Sequence, residues 1–74
     1  MALEFNAISA ALLISKCGSY QISITRVGIG RLAYKLWCGN GLVSSAECYD
    51  AVTERMEALQ HMRDDAELHK ASQP

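Results

Sequence analysis

Apolar and polar side chains alternate along two neighbouring segments in the middle of the chain. The first segment runs from Tyr20 to Val27, and the second from Leu32 to Cys38. Because successive side chains of a β-strand point to opposite faces of a sheet, this period of two predicts two half-buried antiparallel strands. The segment between them, Gly28-Ile29-Gly30, predicts a hairpin loop.

The length of this loop sets the register of the two strands. A two-residue loop would put the apolar side chains of the second strand on the polar face of the first. A three-residue loop, with Gly30 in the left-handed conformation, brings the apolar faces together. It predicts the pairs Ile24 with Tyr34, Ile22 with Leu36, and Tyr20 with Cys38.

A third strand is predicted after Asn40-Gly41, because both residues tolerate the positive φ of a type I′ turn. Opposing Gly39 to Leu42 places Val43 across from Cys38, on the apolar face. The strand is expected to end quickly, since Ser44-Ser45-Ala46-Glu47 has the Ser-x-x-Glu pattern of a helical capping box.

Beyond this point the apolar residues are spaced by three or four positions, which predicts an amphipathic helix from Ala46 to Leu68. The apolar stripe of this helix consists of Cys48, Val52, Met56, Leu59, Met62 and Ala66. Residues 70–74 are expected to form a disordered tail.

The N-terminal segment also predicts a short helix, from Ala7 to Cys17, with Asn6 as N-cap and Gly18 as C-cap. A strand from Ala11 to Ser15 is the alternative, because short apolar runs fit both structures. We therefore expect one α+β domain over residues 1–69. It comprises a short N-terminal helix, a three-stranded antiparallel meander and a long C-terminal helix packed on the sheet.

Composition limits the class of protein. The chain has 74 residues, half of them apolar, with a net charge of -1, which predicts one small folded domain rather than a disordered chain. Its first helix would be apolar almost all round, so a homodimer is expected. No apolar run approaches the roughly 20 residues of a membrane span, and no basic residue precedes the first run, as secretory signals require.

The candidate chemistry is sparse. Three cysteines without C-x-x-C spacing predict reduced thiols and a cytoplasmic location, and His61 and His69 are too far apart for a typical zinc site. Gly28-x-Gly30-x-x-Ala33 matches a dinucleotide-binding fingerprint, but the alternating strand before it does not fit a central parallel strand. We therefore expect no metal, no cofactor and no enzymatic activity.

Charge is distributed unevenly, with a net +3 over residues 1–46 and a net -4 over residues 47–74. The acidic half predicts a surface that docks on a basic site of another protein. Its residues are Glu47, Asp50, Glu54, Glu57, Asp64 and Asp65. In size and element content the chain resembles small acidic α+β proteins of phages and mobile elements, such as anti-CRISPR inhibitors, without a shared motif. The predicted function is a protein-binding inhibitor or regulator.

Nucleic-acid binding through the hairpin is the alternative function. Basic and aromatic side chains would lie beside its loop and on the outward face of the sheet, namely Arg26, Arg31, Lys35 and Trp37. In architecture this resembles DNA-binding domains that read the major groove with strands. In the competing interpretation, the first helix covers Trp37 as a second core layer.

Overall fold

The computed structural model describes residues 3–73 and has a five-stranded antiparallel sheet followed by one helix. The predicted α+β class is confirmed. The elements are β1 (Phe5–Ser9), β2 (Leu12–Ser15), β3 (Tyr20–Gly28), β4 (Arg31–Cys38), β5 (Gly41–Tyr49) and α1 (Val52–Ala71). The strands are ordered as in the chain, so the sheet is a simple meander. Met1, Ala2 and Pro74, which belong to the predicted domain and tail, lie outside the described residues.

The predicted N-terminal helix is wrong, because β1 and β2 form a hairpin in its place. β2 pairs with β3, so that Leu13 lies opposite Ile22 and both are buried. The alternative strand over residues 11–15 is close to the observed β2. Ala and Leu favour a helix, whereas Ile favours a strand. Pairing of β2 with β3 overrides the helix propensity of this segment. The sheet consequently has five strands where three were predicted.

The predicted register between β3 and β4 is confirmed. Ile24 lies opposite Tyr34, Ile22 opposite Leu36 and Tyr20 opposite Cys38. The connection itself is shorter than predicted, because Gly28 pairs with Arg31 and the extra residue is taken up as a bulge at Val27. Gly30 has the predicted left-handed conformation, with φ of +68°.

The turn between β4 and β5 differs from the prediction by one residue. Its central residues are Gly39 and Asn40, and only Gly39 has a positive φ, which is the geometry of a type II′ turn. Cys38 therefore pairs with Gly41, and Val43 is an unpaired bulge residue.

β5 also continues to Tyr49, so the predicted capping box at Ser44 to Glu47 does not form. Ser44 instead pairs with Leu36 across the sheet and donates its hydroxyl hydrogen to Asp65 of α1. Pairing with β4 prevails over local capping, because each residue from Ser44 to Glu47 has a partner on that strand.

The helix α1 begins at Val52 rather than Ala46 and ends at Ala71 rather than Leu68. Lys70 and Ala71, predicted to belong to the tail, are thus helical. Of the predicted stripe, Met62 and Ala66 are buried and Leu59 is partly buried, whereas Val52 and Met56 are exposed. Cys48 belongs to β5. The helix packs mainly on β4 and β5.

The core lies between α1 and the inner face of the sheet. Its fully buried side chains are Ile22, Leu36 and Met62. Polar contacts tie the helix to the sheet near both sides of this core, since Ser44 bonds to Asp65 and the Tyr20 hydroxyl lies 2.8 Å from Nδ1 of His69. The side chains of Tyr20 and His69 also meet edge to face. The position of α1 is therefore fixed by shape and by specific hydrogen bonds.

Candidate functional site

Four of the charged residues singled out in the sequence form two ion pairs at the β3–β4 loop end of the molecule. Arg26 lies 3.1 Å from Asp50, and the other carboxylate oxygen of Asp50 lies 3.4 Å from Arg55. Arg31 lies 3.2 Å from Glu47 on the neighbouring strand. The positive first half and the negative second half of the chain thus neutralise each other in the fold.

The other acidic residues do not form one continuous surface. Asp65 accepts the Ser44 hydroxyl and lies 3.4 Å from Nε2 of His61. Glu54 accepts the backbone N–H of Tyr49, and Asp64 accepts a hydrogen bond from Gln60. Glu57 is exposed on the outward face of α1. These acidic residues therefore face different surroundings. Asp65 and Glu54 contact β5 or its end, Asp64 bonds within α1, and Glu57 faces solvent.

Exposed apolar side chains gather at the same end. We call this group the tip patch: Val27, Ile29, Tyr49 and Val52. Ile29 is fully exposed at the loop, and the other three are at least half exposed. The backbone N–H of Asp50 donates to the Gly30 carbonyl at 2.8 Å, which holds the end of β5 against the loop. The three chain segments of the patch therefore share one end of the fold.

Arginine and tyrosine stack beside the tip patch. The Arg31 guanidinium lies 5.3 Å from the centre of the Tyr49 ring, which is a cation–π contact. Sequence pattern missed this patch because its members come from a loop, a strand end and a helix start. One local signal was available, since Ile29 is an apolar residue between two loop glycines, where burial by its own chain is difficult.

The sheet face opposite α1 carries Lys35 and Trp37, as the register predicted. Nε1 of Trp37 donates to the Ser23 hydroxyl at 3.1 Å, and both side chains are half-buried. The competing interpretation, in which a first helix covers Trp37, is wrong because β1 and β2 extend the sheet instead. Arg31 and Glu47 share this face as a pair, whereas Arg26 is on the α1 side of the sheet.

The three cysteines are free thiols in different environments. Ser15 accepts the backbone N–H of Tyr20 at 3.0 Å, which leaves its hydroxyl hydrogen directed to Sγ of Cys17 at 3.3 Å. This hydrogen bond, together with those from Ser19, lowers the pKa of the exposed Cys17 thiol to about 7. Burial raises the pKa of Cys48.

We expect Cys17 to be alkylated by iodoacetamide much faster than Cys48 in the folded chain at neutral pH. The thiolate is the reactive form, and a pKa of about 7 leaves roughly half of Cys17 ionised at pH 7. The rate should reach about half its maximum near pH 7 and level off above about pH 8, as measured by mass spectrometry of peptides after timed labelling. Equal rates at the two cysteines, or a Cys17 rate that still climbs steeply through pH 9, would contradict this expectation.

Within residues 3–73 no three His, Cys, Asp or Glu side chains come together as a metal site. The dinucleotide fingerprint also lacks its structural context, because Arg31 to Cys38 is a strand rather than a helix. Cys48 lies in β5 rather than at the start of α1. His61 lies 3.4 Å from Asp65 on the same helix. Across the described part of the chain, no helix is both long and apolar enough to span a bilayer.

Comparison with known proteins adds no family to this description. No protein-family model matches the chain, no curated protein matches it, and no solved structure matches its fold. The evidence for a function therefore comes from the surfaces of the fold.

Proposed function

We propose that the chain is a small non-catalytic protein-binding module that docks on a larger protein through the tip patch and inhibits or regulates it. One observation carries this proposal. Val27, Ile29, Tyr49 and Val52 come from three segments, yet they stay exposed together at one end. Single exposed apolar residues are normal, whereas a cluster with an aromatic residue and arginines is typical of protein interfaces.

The charged residues around the tip patch support the same function. Arg31 is held by Glu47, and Asp50 is held between Arg26 and Arg55. Such pairs form a polar rim around an apolar centre, and their side chains are already oriented before a partner arrives. Two members of the predicted acidic surface, Glu47 and Asp50, thus belong to this rim.

Ile29 is the residue whose burial would contribute most to docking, because it is fully exposed at the loop. Burying an isoleucine side chain contributes roughly 1.5–3 kcal/mol. We therefore expect Ile29→Asp to weaken partner binding at least about tenfold while the fold is retained. The matched control is Ile8→Asp, the same change at an exposed isoleucine of β1.

The measurement is quantitative affinity capture from a nuclease-treated lysate of the source organism. At least one protein should be retained by the native chain and by Ile8→Asp but lost with Ile29→Asp. Circular dichroism checks that both variants are folded. If no captured protein distinguishes the two variants, the tip patch is not the docking surface.

Nucleic-acid binding is supported by a single observation, the position of the half-buried Lys35 close to Trp37 on the sheet face opposite α1. Against it, Arg26 and Arg31 are both neutralised by carboxylates, so little unpaired positive charge remains for phosphates. Capture that disappears after nuclease treatment and after Lys35→Glu would favour nucleic acid over a protein partner.

A cytoplasmic location belongs to the same proposal, because three free thiols suit a reducing compartment. The homodimer was predicted from an apolar first helix, and two strands take the place of that helix. Light scattering tests it directly, and a mass near 8.1 kDa at all concentrations would contradict it.

A further inference from the structure

Part of the inner sheet face is not covered by α1. Five strands about 4.8 Å apart give a sheet roughly 19 Å wide, whereas a helix with its side chains is about 10 Å across. The start of α1 contacts β5 through Glu54, whereas its C-terminal end reaches β3, where His69 meets Tyr20. An open strip therefore remains only beside the first two turns of α1, over the β1–β2 turn and Ile24.

The open strip is an apolar groove of about 350 Å³. Its floor includes Ala7, Ala10, Leu13 and Ile24, and its wall on the α1 side includes Val52 and Met56. Ala7 and Ala10 have small side chains, so the backbone of a partner can approach the sheet closely at these positions. Val52, which also belongs to the tip patch, and Met56 are 75% and 67% exposed, so this part of the wall does not pack into the core.

The length of the groove suits two turns of helix. Its wall on α1 extends from Val52 to Leu59. Seven residues at 1.5 Å each give about 10 Å, the distance covered by side chains at positions i, i+4 and i+7 of a partner helix.

Charge around the groove is positive. Arg55 lines it and shares the single carboxylate of Asp50 with Arg26, so these three side chains together keep a net positive charge. Arg63 follows Leu59 by four positions, which places it just beyond the lining on the same flank of α1. Within residues 3–73, Arg63 forms no ion pair, and its buried Nε has no hydrogen-bond acceptor. The acidic side chains of α1 that contact β5, Glu54 and Asp65, lie on the opposite flank.

Two other occupants fit the groove less well. A symmetric contact with a second copy of the chain would place the two grooves against each other, and the Arg55 and Arg63 side chains of both copies would then repel. An extended peptide would have to pair with β1, whose ladder is interrupted between Ala7 and Ser9. An amphipathic helix from another protein avoids both costs.

We propose that this groove binds an amphipathic helix of a partner protein, with apolar side chains on the floor and carboxylates facing Arg55 and Arg63. The inference rests on the proposed protein-binding function and names the kind of segment that the partner supplies. Opposite charges across the rim would select the partner, while the apolar contacts hold it.

The test uses the full chain labelled with ¹⁵N and three synthetic stapled helical peptides. The peptides share one stripe of leucines and differ only in their flanking residues, which are Glu, Lys or Gln. In NMR titrations up to about 1 mM, the Glu peptide should shift the amide signals of Ala7, Ala10, Leu13 and Ile24. It should bind at least about tenfold more tightly than the Lys peptide.

Charge-reversal variants sharpen the test. Arg63→Glu should reverse the preference to the Lys peptide, and Arg55→Glu should act in the same direction. Arg63 has no role in the ion pairs at the tip, so its variant keeps the test valid if Arg55→Glu disturbs Asp50. Glu57→Lys, on the outward face, is the matched control and should leave the order of the peptides unchanged.

Several results would overturn the inference. They are no shift up to about 1 mM Glu peptide, equal binding of the Glu and Lys peptides, shifts centred on Trp37, or groove signals that depend on the concentration of the chain alone, as a second copy would cause. Ile29→Asp should not affect peptide binding. Loss of capture with Ile29→Asp and loss of the groove response are therefore separate outcomes.

Discussion

Replacing Leu36 with alanine is expected to destabilise the folded chain by about 3 kcal/mol. Leu36 is completely buried on β4, and together with Ile22 and Met62 it forms the centre of the core. Truncation removes its transfer free energy and leaves a cavity that the paired strands β3 and β5 cannot close. A domain of this length has roughly 4 to 10 kcal/mol of stability, so the loss is severe. The melting temperature should fall by more than about 10 °C.

Urea denaturation followed by circular dichroism measures this loss. The matched control is Leu42→Ala, which makes the same change at a side chain on β5 that is 52% exposed. It should cost less than about 1 kcal/mol. If the two variants were equally stable, Leu36 would not lie in the core and the placement of α1 over β4 would be wrong.

The variant Ala66→Lys is expected to cost about 3–5 kcal/mol, because it places a cation where α1 meets the sheet. Ala66 is completely buried, and a small residue there lets the helix lie close to β4 and β5. Lysine would have to leave its charge unpaired or lift the helix away. We expect the second half of α1 to detach, with loss of the hydrogen bond from Ser44 to Asp65 and of the one between Tyr20 and His69.

Hydrogen exchange resolved by residue measures this detachment. Amides of α1 after Leu59 should lose protection more than amides in the centre of β3 and β4. Gln60→Lys introduces the same cation into an exposed position of the same helix and faces Asp64 one turn later, so it should be close to neutral. Unchanged protection of α1 in Ala66→Lys would show that the helix does not depend on this contact.

The central hairpin could be predicted from the sequence because its information is local. Alternation over Tyr20 to Val27 and Leu32 to Cys38 leaves only one register in which the apolar faces agree, and that register is present. The same rule placed Lys35 and Trp37 correctly on the face away from α1. The helical period likewise identified Met62 and Ala66 as buried.

Prediction was wrong where two local signals competed. The segment from Ser44 to Glu47 carries a capping box, yet each of its residues also finds a partner on the neighbouring strand β4. Ala7 to Cys17 contains good helix formers, yet Leu13 and Ser15 are buried when the segment pairs as a strand. No pattern within these segments reports which neighbour will be available.

In the candidate sites, too, the residue types could be predicted from the sequence, whereas their contacts could not. Basic and acidic residues were recognised in the sequence, but their mutual pairing depends on β5 returning beside β4. The tip patch and the groove each combine side chains from separate elements, such as Ile29 with Tyr49 and Leu13 with Met56. Spacing along one element cannot predict such combinations.

Side-chain periodicity alone was enough to determine the α+β class, the register of the central hairpin and the burial of Met62 and Ala66 on the helix. These features depend on residues that are close together in the chain. The number of strands, the neutralisation of charge at the tip and the groove beside the first turns of α1 depended on contacts between distant segments. Such contacts are chosen by the burial and hydrogen bonding of the whole domain, which no short stretch of sequence contains.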